Sequence, residues 1–106
     1  MVKKAKEFYL NDITEMDVMK KLNSKGYLIS ERGLLKKKRT FILPKYDPII
    51  KVSIEDESYT GPDEEYPFFS DILHQRVRVE IEYFSENEDD VEKLIEELNK
   101  LPKINI

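Results

Sequence analysis

Four consecutive cations, Lys36, Lys37, Lys38 and Arg39, are the residues whose types and spacing most favour specific chemistry. Adjacent positive charges repel one another, so a bound anion would relieve an electrostatic repulsion that is present in the free chain. Phosphate groups suit this role because Lys and Arg donate charge-assisted hydrogen bonds to them and release counterions on binding. In the alternative interpretation the lysines protect an exposed edge strand, since lysines at such an edge discourage aggregation. The segment therefore predicts contacts with nucleic acid phosphates, with edge protection as the alternative.

A second candidate lies within residues 56–75, which contain six acidic residues and also Gly61, Pro62 and Pro67. Aromatic side chains often anchor protein interfaces. The segment therefore predicts a protein-binding patch, formed by Tyr59, Tyr66, Phe68 and Phe69. In the alternative interpretation, Phe68 and Phe69 fold back and cover the open end of a sheet.

Catalytic motifs are scarce in this chain. There is no cysteine and one histidine, His74, so thiol catalysis is excluded and a serine–histidine arrangement would depend on His74 alone. The sequence contains no glycine-rich phosphate-binding loop. Asp71 and His74 are three residues apart, but one histidine among carboxylates is a poor ligand set for zinc. We therefore expect a protein that is not an enzyme and that holds no metal or other cofactor.

Charge is distributed unevenly along the chain, although the net charge is only −4. Residues 1–45 contain twelve Lys or Arg and five Asp or Glu, whereas residues 46–106 contain six and seventeen. Such asymmetry favours an anionic partner for the basic half. Alternatively, basic and acidic faces neutralise one another within the fold or between subunits.

The 106 residues suffice for one domain, which we expect to span 1–106. No apolar run reaches the ~18 residues of a membrane span, and no signal peptide is evident, so we expect a cytoplasmic protein without membrane contact. Abundant Lys and Glu with a single glutamine, Gln75, is the composition reported for hyperthermophiles. An AT-rich genome accounts for the composition equally well.

Residues 76–84 give the clearest strand pattern, because apolar and charged residues alternate without interruption. Such alternation favours an antiparallel sheet with one covered face and one wet face. Two helices are predicted, one from Thr14 to Gly26 and one from Ser85 or Asn87 to Pro102. Further strands are predicted at 4–10, 27–31, 36–43, 49–55 and 104–106, and a short helical turn at 69–74.

The predicted order is strand–helix–strand–strand–strand–strand–helix–strand. It favours an α+β fold, namely a two-layer sandwich in which two helices cover one face of a mainly antiparallel sheet of four to six strands. The template is a ferredoxin-like variant, extended by one strand and the long loop at 56–75.

Two local resemblances accompany this pattern. Residues 16–43 resemble the closing section of a winged helix-turn-helix domain, although the preceding residues leave no room for that family's first two helices. The segment Phe8-Tyr9-Leu10-Asn11 resembles the first-strand motif of an RNA recognition motif, a resemblance that implies base stacking on sheet aromatics. The counterpart strand at 76–84 lacks the glycines that this family has there.

Two hypotheses follow. The first is a non-catalytic homodimer that contacts nucleic acid through the basic hairpin, with an exposed terminal strand at 104–106 pairing with its symmetry mate. The second is a protein–protein adaptor or inhibitor. It would act through the loop at 56–75 and the helix at 86–97, which has seven acidic residues and one basic residue.

Overall fold

The computed structural model describes residues 2–32, 38–44, 50–62 and 71–104. Their elements follow one another as β1 (Lys3–Asn11), α1 (Glu15–Ser24), β2 (Leu28–Arg32), β3 (Lys38–Ile42), β4 (Lys51–Asp56), β5 (Tyr59–Gly61), β6 (Ile72–His74), β7 (Arg76–Phe84) and α2 (Glu88–Asn99). A short 3₁₀ turn over Ser85–Asn87 joins β7 to α2.

Five strands form one antiparallel sheet in the order β1-β7-β4-β3-β2, and β5 pairs with β6 in a separate two-stranded sheet. The predicted α+β class with a mostly antiparallel sheet is therefore confirmed. The ferredoxin-like arrangement is not confirmed. β1 lies at one edge of the sheet, and β7 is its one partner strand among the described residues.

β7 is central to the sheet, and its predicted alternation is confirmed. Its apolar side chains are buried against the helices, whereas the charged ones lie on the opposite side, here called the outer face. The register places Phe8 of β1 and Ile54 of β4 on either side of Val79. Hydrophobic burial along this row is the main favourable term that joins the strands to the helices.

The first helix begins as the sequence predicts. The Asp17 amide donates to Thr14 Oγ1 (3.2 Å), and Thr14 Oγ1 donates to Asp17 Oδ2 (2.8 Å), so a side chain satisfies one of the orphan amides. After the helix, Gly26 adopts φ +90°, a left-handed conformation that glycine adopts without steric cost. α1 buries Val18, Met19 and Leu22 in the same core as the strands.

The second helix begins after Asn87, as predicted, but without the predicted side-chain cap. Asn87 precedes it, but its side chain makes no capping hydrogen bond. Three acidic residues in the first turn, Glu88, Asp89 and Asp90, complement the positive end of the helix dipole instead. Val91, Leu94 and Leu98 are buried in the common core, so both helices cover one face of the sheet.

The segment at 56–75 is more ordered than predicted in the part that the structure describes. Tyr59–Gly61 pairs with Ile72–His74, so the predicted helical turn at 69–74 is wrong for its last three residues. Pairing across this hairpin is not visible in the local sequence, because its two strands are separated by residues 62–71. Of the predicted final strand, residues 105–106 lie outside the described residues. The Ile104 amide donates to the Asp12 carbonyl (2.7 Å) at the end of β1.

Truncation of Ile81 tests the role of β7. Ile81 is fully buried and lies between Lys6 and Val52 in the register, so Ile81→Ala leaves a cavity that neighbouring strands fill poorly. We expect the free energy of unfolding to fall by about 2–5 kcal/mol, measured by urea denaturation. The control Leu28→Ala removes an exposed side chain, and a change beyond about 0.5 kcal/mol is not expected. Equal losses in both variants would contradict a core centred on β7.

Candidate functional site

The two described cations of the predicted basic segment point to opposite faces of the sheet. Lys38 lies on the outer face, where its Nζ is 2.8 Å from Glu80 Oε2. Arg39 lies on the helix face, where Nη1 is 3.0 Å from Glu15 Oε1 and 2.9 Å from Met19 Sδ. Lys36 and Lys37 lie outside the described residues. Strand alternation thus separates Lys38 from Arg39, and each already has a carboxylate partner.

The outer face is organised around Arg78. Its guanidinium lies 2.7 Å from Glu55 and 3.0 Å from Glu57, and it also donates to Glu80. A longer contact of 3.7 Å reaches Glu7 on β1. The hydrogen bond to Glu55 raises the pKa of Arg78, and Glu80 adds to the effect. Since carboxylates surround Arg78, this part of the face presents little free positive charge to a phosphate.

The pKa values of two glutamates, one on each face of the sheet, shift in opposite directions. The hydrogen bond from Lys38 lowers the pKa of Glu80 below its usual 4.5, and Arg78 adds to the effect. On the helix face, burial raises the pKa of Glu15, although Arg39 opposes the change. The Lys38–Glu80 pair is therefore a source of acid sensitivity in the folded protein.

The acidic helix predicted as a partner surface is partly neutralised by the basic half of the chain. Glu88 lies 3.1 Å from Lys4 and 3.6 Å from Lys6 on β1, and Glu97 pairs with Lys25 after α1. The Lys4 hydrogen bond lowers the pKa of Glu88. Lysines of the basic half of the chain thus pair with glutamates of the acidic half within the fold.

Four side chains form a stacked column beside the end of β1, which we call the Tyr–Arg column. The Arg76 guanidinium lies 4.8 Å from the ring centroid of Tyr9 and 5.1 Å from that of Tyr59. The Tyr59 ring in turn stacks on His74, with 4.8 Å between centroids and 17° between ring planes. The contacts therefore run from Tyr9 to Arg76, then to Tyr59 and His74, and the guanidinium lies over two aromatic rings.

Backbone hydrogen bonds hold the column in place. The Glu57 amide donates to the Arg76 carbonyl (2.9 Å), and the Arg76 amide donates to Ser58 Oγ (3.1 Å), which fixes the β5–β6 hairpin against β7. His74 Nε2 lies 3.3 Å from the Gly61 carbonyl oxygen. Arg76 Nη2 is 3.7 Å from Glu57, so the cation also has a carboxylate neighbour. The rings are thus positioned by elements that are themselves anchored.

The column is accessible from solvent. Tyr9 is 45% exposed and Tyr59 is 49% exposed, and Leu73 on the neighbouring strand is also exposed. Their exposure on well-anchored strands distinguishes these rings from the core aromatics Phe41 and Tyr83, which are buried.

The sequence predicts one member of this column, Tyr59, as a binding residue. It does not predict Tyr9, Arg76 and His74 as partners, because their proximity depends on the pairing of β1 with β7 and of β5 with β6. The signal for Tyr9 was its odd position in a strand whose even residues face the core. The other predicted protein-binding residues lie outside the described part of the chain: Tyr66, Phe68 and Phe69.

Within the described ranges, no group of three or more His, Asp or Glu side chains is arranged to hold a metal ion. None of the helices in these ranges has the length and apolarity that crossing a bilayer requires. No family model, curated protein or solved structure matches the chain.

The Lys38–Glu80 pair predicts a loss of stability in acid. A carboxylate whose pKa is lowered on folding stabilises the native state above its unfolded pKa, and this contribution disappears as the pH falls through the folded value. We expect Lys38→Met to remove the main cause and to flatten the decline in unfolding free energy between about pH 5 and pH 3, measured by urea denaturation.

The matched control is Lys51→Met on the same face. Lys51 is exposed and has no carboxylate within ion-pair distance in the described part of the chain. We expect this variant to keep the wild-type decline. An unchanged decline in Lys38→Met would show that the pair contributes nothing to acid sensitivity.

Proposed function

We propose that the protein is a non-catalytic binding module that docks a protein partner through the Tyr–Arg column. The supporting observation is the exposed stack in which Tyr9 and Tyr59 enclose Arg76. Tyrosine and arginine are among the residues most enriched at the energetic centres of protein interfaces. Because stacking already restricts these side chains, less conformational entropy is lost when a partner binds.

The charge around the column indicates the chemistry of that partner. Residues 52–75 contain seven Asp or Glu and no Lys or Arg. Glu57 lies beside Arg76, and Glu7 lies on the same face of β1 as Tyr9. Like charges across an interface are costly, and opposite charges guide association. A basic protein segment therefore fits this surface better than a nucleic acid backbone does.

Selection from a random peptide library displayed on phage tests the proposal. We expect the wild-type protein to enrich peptides rich in Lys or Arg, and the double variant Tyr9→Ala/Tyr59→Ala to bind the same peptides at least about tenfold more weakly, a difference of ~1.4 kcal/mol. The control Leu28→Ala removes an exposed apolar side chain of β2, away from the column, and should bind like wild type. Equal binding by wild type and the double variant, or no enrichment, would overturn the proposal.

Fluorescence anisotropy with short single- and double-stranded DNA and RNA distinguishes the protein-docking proposal from the nucleic acid hypothesis. On the present proposal the protein binds none of them at about 50 mM salt. Binding that weakens by orders of magnitude at about 200 mM would indicate several phosphate contacts. If Lys36→Glu/Lys37→Glu then abolished this binding, the basic hairpin would be the functional surface and the protein-docking proposal would be wrong.

A further inference from the structure

A groove of about 490 Å³ separates the two helices on the face of the sheet opposite the outer face. The end of α1 and the turn after it form one wall, and the first turns of α2 form the other. Its volume lies within the range of small-molecule sites in proteins. The lining residues are Lys21, Ser24, Lys25, Tyr27, Leu43, Asp90, Lys93 and Leu94.

The floor of the groove is apolar and the rim is cationic. Tyr27 and Leu94 are 3% and 2% exposed, and Leu43 packs against the same core, so the floor is fixed by the fold. Lysines stand on both walls, with Lys21 on the α1 side and Lys93 on the α2 side. A ligand that spans the groove would meet a cation from each helix.

Two of the three rim lysines form no ion pair with the described parts of the chain, although the charge of Lys21 acts on Glu97 at longer range. Lys25 pairs with Glu97, but no carboxylate lies within ion-pair distance of Lys21 or Lys93. Lys93 is the one basic residue among the seven acidic residues of segment 86–97. Asp90 offsets one of the two remaining charges, so the rim keeps a positive balance in a protein whose net charge is −4.

We propose that this groove binds a small phosphate monoester whose organic part is a ring-sized apolar group. The ammonium groups would meet the phosphate at the rim, and the ring would lie on Tyr27, Leu43 and Leu94. Lysine binds phosphate as a compact charge with rotatable donors, and the roughly −2 charge of a phosphate monoester suits a pair of lysines better than the single charge of a carboxylate does. This site lies on the other face from the Tyr–Arg column and is independent of the function proposed above.

Titration of the ¹⁵N-labelled protein with phenyl phosphate, followed by NMR, tests the site. We expect shift changes centred on the amides of Tyr27 and Leu94, and saturation below about 10 mM, as for a site of millimolar Kd. Inorganic phosphate and benzyl alcohol should each bind more weakly than phenyl phosphate, because each offers one half of the ligand.

Variants assign the binding to the rim. Lys21→Gln/Lys93→Gln should weaken binding of phenyl phosphate at least about tenfold, whereas Lys51→Gln, on the outer face, should leave it unchanged. Lys93 and Lys51 are exposed and Lys21 is half-buried, and matching amide spectra without ligand show that each variant is folded. No saturation by wild type, equal binding by the double variant, or binding of inorganic phosphate as strong as that of phenyl phosphate would overturn the proposal.

Discussion

The strict alternation of β7 is the constraint on which the rest of the structure depends. Because β7 lies between β1 and β4, its apolar side chains form the middle of the core, and Arg78 is placed at the middle of the outer face. A one-residue shift in register would move Val79 and Ile81 into solvent and bury the charged side chains. The same strand therefore fixes the core, the charge network and the position of Arg76 within the Tyr–Arg column.

The outer face shows how a sequence rich in charge avoids a charged patch. Arg78 forms ion pairs with carboxylates from three strands and from the turn after β4, and Lys38 pairs with Glu80. Four adjacent cations in the sequence need not form one surface, because neighbouring residues of a strand face opposite sides. A phosphate-binding hairpin remains a prediction that depends on Lys36 and Lys37.

The sequence pattern predicts those features of the fold that depend on residues close together in the chain. The cap at Thr14, the turn at Gly26 and the alternation at 76–84 all follow from neighbouring residues, and each is present. Strand order could not be predicted in this way, since the pairing of β1 with β7 joins residues 65 to 81 positions apart. The Tyr–Arg column escaped prediction for the same reason, although Tyr59 itself was recognised.

A column that docks a partner as proposed is assembled before the partner binds, with Arg76 in contact with the rings of both Tyr9 and Tyr59. Ring currents make this directly measurable by NMR of the free protein. We expect the side-chain protons of Arg76 to resonate upfield of their random-coil positions, and Tyr9→Ala and Tyr59→Ala each to reduce the displacement. Random-coil shifts for Arg76 in the folded wild-type protein would contradict a preformed column.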